Sequence, residues 1–170
     1  MTAVTFGVGP VLEDYPEHAK LIGIIVTSWN DIEHALVMLL ALCMGQQFLL
    51  IHPMVYALRN SVARLDIMEP TLLELFKQQK LDTKELASIL AEARKVAKAR
   101  NMYAHAVYGA SDTLRILDLQ EGIPAIFTQQ DKNRPLKIEE LTDALQRSIS
   151  LSHRIATLSQ TWRTPQPKPA

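Results

Sequence analysis

The chain has 170 residues, enough for one domain with a core of its own. Hydrophobic residues make up 48% and charged residues 21%, the balance of an ordinary globular protein rather than a disordered one. Lys plus Arg equals Asp plus Glu at 18 each, so a globally polycationic nucleic-acid binder is excluded and only local clustering of charge can attract a polyanion.

The single cysteine, Cys43, lies in an apolar run. One cysteine builds no disulfide framework, and its neighbours predict a buried, unreactive thiol, which fits a reducing cytoplasm. Met1 to Pro10 has no basic region followed by an apolar stretch, so no secretory leader is expected. The longest apolar run, Ala35 to Met44, is about half the length of a bilayer-spanning helix, so no membrane partner is expected.

In chain order, residues 1–13 show no period and read as an extended arm. A first helix is predicted from Pro16 to Met44, stopped by Gly45, with the stripe Leu21, Ile25, Trp29, Ile32, Leu36, Leu39 and Cys43. Pro53 is expected to open a second helix through Val55, Leu58, Val62 and Leu65, and Pro70 to break or kink it. Asp82 and Glu85 form a capping-box pattern for a third helix that reaches Tyr108 and ends at Gly109. Between Asp112 and Gln129 the period shortens. Thr113–Leu119, a Gln120-Glu121-Gly122 turn and Ile123–Thr128 read as a β-hairpin, with Pro124 pointing to an edge. A polar loop, Gln129 to Pro135, precedes a last helix over Ile138–Trp162 with the stripe Leu141, Leu145, Ile149, Ser152, Ile155, Leu158 and Trp162. The expected fold is mainly α, an up-and-down bundle of four to five helices with a small β-hairpin inserted before the last helix. Residues 1–163 form one domain in this reading and 164–170 a flexible tail.

The third helix carries the residues with the most chemistry. Its apolar phase runs Leu86, Leu90, Ala93, Ala97, then Ala104 and Val107, and Arg100 occupies the missing place. A buried guanidinium needs an anion or a wet cleft. Asn101 and His105, four residues apart, share one helix face. Arg94, Lys95 and Lys98 precede them within two turns, a local basic patch suited to phosphate.

Arg100-Asn101-Met102-Tyr103-Ala104-His105 resembles the Arg-x(4–6)-His signature of the HEPN superfamily, where Asn or another polar residue often follows the Arg. The segment Ser28-Trp29-Asn30-Asp31-Ile32-Glu33-His34-Ala35-Leu36, with Arg100-Asn101, Ala104-His105 and Tyr108-Gly109, is similar to a bacterial subgroup of that superfamily. The resemblance implies a small helical bundle and a metal-independent endoribonuclease. It also implies a homodimer with a composite site, RNA as substrate, and a place in toxin–antitoxin or antiviral defence systems with an antitoxin partner. HEPN domains without nuclease activity form the alternative: a helical module that binds nucleotide, phosphate or a protein partner. Some HEPN toxins carry a Tyr two residues after the His, where this chain has Val107, with Tyr108 following.

The residue types suit the implied chemistry. Metal-free RNA cleavage uses the 2′-hydroxyl as nucleophile and needs an acid, a base and positive charge at phosphorus. Imidazole moves protons near neutrality, and guanidinium holds phosphoryl oxygens. Arg100 and His105 are the expected catalytic pair, with Asn101 holding the imidazole or the phosphate. Glu33 is a supporting candidate to pair Arg100 or orient His105. Arg94, Lys95, Lys98, Tyr103 and Tyr108 are candidate RNA or phosphate contacts, the tyrosines through base stacking. No metal ligand is expected from His18, His34, His52 or His153, whose spacings fit no metal site, and no Gly-rich loop calls for a cofactor.

Overall fold

The computed structural model describes residues 11–110, 113–117 and 133–163. After a 3-10 turn at Val11–Asp14, the helices are α1 (Pro16–Cys43), α2 (Phe48–Tyr56), α3 (Ser61–Gln78), α4 (Lys84–His105) and α5 (Ile138–Arg163). Strands β1 (Val107–Ala110), β2 (Leu114–Leu117) and β3 (Asn133–Pro135) form an antiparallel sheet in the order β1-β2-β3, placed in the chain before the last helix. The protein is mainly α, as its periodicity indicates. Within the span expected as one domain, the chain forms two compact units, Met1–Thr27 with Lys98–Arg147, and Ser28–Ala97 with Ser148–Ala170.

The second unit is a helical bundle around one apolar core. From α1 it buries Trp29, Ile32, Leu36, Leu39 and Cys43, all members of the predicted stripe. Leu65, Met68, Leu72 and Phe76 of α3, Leu86, Leu90 and Ala93 of α4, and Leu151 and Ile155 of α5 close on them. Each large aliphatic or phenylalanine side chain among them, removed from water, contributes roughly 1.5–3 kcal/mol. In α5 the buried series runs Leu141, Ser148, Leu151 and Ile155. Ile149, expected to face inward, is 41% exposed, because the heptad step from Leu141 lands on Ser148.

Gly45, at φ 62°, ends α1. Gly45 N–H donates to Leu42 O and Gln46 N–H to Ala41 O, the paired bonds of a Schellman stop. Beyond it the structure corrects the expected second helix. Two helices stand there, and Pro53 lies inside α2 rather than at its start. Asn60 caps α3, its side-chain oxygen accepting from Ala63 N–H at 2.7 Å. Pro70 is inside α3, which runs unbroken to Gln78. The carbonyl that Pro70 leaves without an amide partner belongs to Asp66, an exposed residue that water reaches.

Helix α1 is long and apolar enough to cross a membrane, but half of its most apolar stretch is buried inside the protein. A core helix has the same composition.

The first unit joins the start of α1, the end of α4, the sheet and the start of α5 around Ile22, Ile25, Tyr103, Leu114, Ile116, Leu136 and Leu141. Helix α4 ends at His105, three residues before the predicted end, and Tyr108 and Gly109 belong to β1. Strand β2 pairs Tyr108 with Ile116 on one side and Arg134 with Ile116 on the other. Residues 133–135, expected in a polar loop, are therefore a strand. The expected turn at Gln120–Gly122, the strand Ile123–Thr128, the start of the N-terminal arm and the tail lie outside the described residues.

Candidate functional site

The last two turns of α4 carry Lys98, Arg100, Asn101, Tyr103 and His105. Lys98, Asn101 and His105 follow one another at helical spacing, and Lys98 and His105 are exposed. His105 closes the final turn, where helix carbonyls lack intrahelical partners and carry partial negative charge.

Arg100 is half-buried. Its Nη1 donates to Asn101 Oδ1 at 3.0 Å, while its Nε is buried with no hydrogen-bond partner. Such an unmet donor costs about 1–3 kcal/mol, which a bound anion would return. Asn101 thus serves Arg100 rather than the imidazole, and its amide group keeps two donors for a ligand. The phase of α4 shifts at this point. Tyr103 is buried and Ala104 exposed, so the inward stripe passes from Ala97 to Tyr103, with Arg100 at its edge.

Tyr103 is no base-stacking platform. It is 3% exposed, and its hydroxyl donates to Glu140 Oε1 at 2.9 Å. Arg134 of β3 grips the same carboxylate through both terminal nitrogens. Burial, followed by the Glu140 hydrogen bond, pushes the Tyr103 phenol well above its ordinary range. The Arg134 guanidinium, against a smaller desolvation effect, holds the Glu140 carboxyl below the usual carboxylate range. Tyr108, half-buried, donates its hydroxyl to the Tyr103 carbonyl, and burial raises its phenol to about 12. The two tyrosines therefore pin the turn that carries His105. Arg134 and Glu140 were missed in the sequence, where nothing in spacing or pattern ties a loop residue to a helix start.

Two further expectations are corrected. Glu33 meets neither Arg100 nor His105. Its two carboxylate oxygens accept from Arg64 Nε at 2.7 Å and Nη2 at 2.9 Å, with the side chains 2% and 12% exposed. Arg64 also donates to Leu58 O, and its guanidinium lies 4.7 Å from the Tyr56 ring centre. The basic patch is largely neutralised. Arg94 is paired with both Asp66 (2.8 Å) and Glu69 (2.6 Å), and Lys95 with Glu92 (3.1 Å). Cys43 is buried, and its thiol is pushed up to about 12, as an inert core residue requires. Among the described residues no group of three or more His, Cys, Asp or Glu is placed to hold a metal ion.

No protein-family model, curated protein or solved structure matches the chain.

Proposed function

We propose that this chain is a HEPN-type, metal-independent endoribonuclease that works in the cytoplasm as a homodimer, as a toxin or defence component. The observation that carries the reading is the unmet Arg100 Nε, buried on the same two turns as Asn101 and an exposed His105. A guanidinium held at the edge of a core with a donor to spare is a site prepared for an anion.

In the proposed reaction, Arg100 and the Asn101 amide hold the scissile phosphate. One His105 takes the proton of the 2′-hydroxyl as its oxygen attacks phosphorus. A second imidazole, from the other protomer, gives a proton to the departing 5′-oxygen. The P–O5′ bond breaks, leaving a 2′,3′-cyclic phosphate and a 5′-hydroxyl. One chain supplies one histidine at this position, so an acid and a base acting together call for two chains.

The test is cleavage of RNA in EDTA by wild type, Arg100→Ala and His105→Ala. Wild-type cleavage is expected, with a loss of at least about 100-fold in each variant. Activity that persists in both variants removes the site. The second reading, a non-catalytic phosphate-binding module, is favoured by the same arginine, because binding an anion needs Arg100 and not His105. Under it, wild type binds RNA without cutting it, and only Arg100→Ala weakens binding.

A further inference from the structure

Four rings meet between α1 and α2, and two of them are imidazoles. His34 of α1 lies 4.9 Å from His52 of α2 between ring centres, with the planes 44° apart. Phe48 stands 5.4 Å from His34 and 5.1 Å from His52, and Tyr56 stacks on His52 at 4.2 Å. The spacing of these histidines in the sequence fits no metal motif because the pair forms across two helices. All four residues belong to the helical-bundle unit, whereas Arg100 and His105 belong to the other.

The two imidazoles stand as a pair of ligands would. A nitrogen ligand lies about 2.0–2.1 Å from zinc and its ring centre about 1.2 Å beyond, so two rings on one ion at about 90–110° have centres about 4.5–5.3 Å apart. The observed 4.9 Å falls inside that window. His34 Nδ1 is 3.4 Å from the Tyr56 hydroxyl, so the tautomer protonated there keeps a lone pair on Nε2. A partner on the far nitrogen is the outer-shell contact that orients a ligand histidine. His52 meets Tyr56 face to face, 16° from parallel, which leaves its nitrogens at the ring edge. Neither of them has a hydrogen-bond partner among the described residues. The Arg64 guanidinium holds the Tyr56 ring from 4.7 Å, and Glu33 neutralises Arg64, so no unbalanced cation repels an incoming one. His34 is exposed and His52 half-buried, which leaves the pair open to solvent.

The geometry points to a two-histidine site for a divalent ion of the nickel, copper and zinc group, held by His34 and His52 with water in the remaining positions. Imidazole suits these ions, whereas magnesium and calcium take oxygen ligands. Two protein ligands, fewer than a permanent zinc centre uses, make the ion exchangeable. The site takes no part in the proposed RNA chemistry and stands or falls apart from it.

The experiment is calorimetric titration of the full chain with Zn²⁺, and with Mg²⁺ for comparison. It uses wild type, His34→Phe, His52→Phe and, at an exposed histidine elsewhere in the same unit, His153→Phe. Phenylalanine keeps a packed ring and removes the nitrogens, and Tm without metal reports whether each variant is folded. One Zn²⁺ and no Mg²⁺ should bind per chain in wild type and His153→Phe, with affinity at least about tenfold weaker in His34→Phe and His52→Phe. Zn²⁺ should raise the Tm of wild type and not of those two variants. Wild type that takes up no Zn²⁺ below about 1 mM, or folded His34→Phe and His52→Phe that bind it as wild type does, overturns the site and leaves four packed rings.

Discussion

Replacing Glu33 by Gln should destabilise the protein while leaving its chemistry intact. Glu33 and Arg64 are 2% and 12% exposed and joined by two hydrogen bonds, so removing the negative charge leaves a guanidinium buried beside a neutral amide. Breaking a buried pair costs about 3–5 kcal/mol. The glutamine oxygen can still accept one bond from Arg64, and Leu58 O and Ser61 Oγ remain as partners, which places the loss nearer 2–3 kcal/mol. For a chain of this size that corresponds to a drop in Tm of roughly 4–12 °C, a sizeable share of a typical total stability of about 5–15 kcal/mol. The double variant Glu33→Leu, Arg64→Met removes both charges and should recover most of the loss. Thermal unfolding followed by circular dichroism gives the stability, and RNA cleavage well below the transition gives the activity per folded molecule. An unchanged Tm in Glu33→Gln refutes the structural role of the pair. Lost cleavage at an unchanged Tm returns Glu33 to the site.

Other consequences are open to measurement. Tyr103→Phe removes the hydroxyl bonded to Glu140 and should cost about 1–3 kcal/mol by denaturant titration. Its cleavage rate should fall if that clamp fixes His105, and an unchanged rate would show that the clamp serves stability alone. The folded pKa of Tyr108 lies above its ordinary value of 10, at about 12, so its contribution to stability is full below pH 10 and is lost as pH rises through 12. Ultraviolet titration of Tyr108→Phe against wild type should lose one late-ionising phenol. Lys80 sits at φ 57° just after α3, where Lys80→Gly should raise stability by up to about 1 kcal/mol in thermal unfolding. Cys43 should react with a thiol reagent only after unfolding.

The helices legible in the sequence were those whose signals were purely local. The stripe from Trp29 to Cys43 and the glycine after it placed α1 almost to the residue. The polar start at Asp82 placed α4 within two residues, but not through the expected capping box: Asp82 accepts from Lys84 N–H at 2.9 Å and Glu85 pairs with Arg154. The prolines misled because their cost depends on who loses the hydrogen bond. The carbonyls facing Pro53 and Pro70 belong to Leu49 and Asp66, both exposed residues, where losing a donor costs less than in a core, and the helices continue. Asn60 is the cap that separates α2 from α3, its side chain accepting from Ala63 N–H. The end of α3 was hidden for the opposite reason. Lys80 N–H to Lys77 O and Leu81 N–H to Phe76 O make the same stop as at Gly45, with a lysine where glycine is the usual sign.

At the site, Arg100, Asn101 and His105 were legible because one helix carries all three. Their partners were not, because pairing across chain separations is invisible to spacing. Glu33 with Arg64 spans 31 residues and Tyr103 with Glu140 spans 37. The basic patch looked available for the same reason. The carboxylates that occupy Arg94 come from α3, a different helix.

The central claim is that Arg100 and His105 cleave RNA through its own 2′-hydroxyl. Analysis of the ends produced by wild type in EDTA tests it most directly. The account predicts 2′,3′-cyclic phosphate and 5′-hydroxyl ends, absent from the His105→Ala digest. Ends bearing a 3′-hydroxyl and a 5′-phosphate, or the same cleavage from His105→Ala, would contradict it.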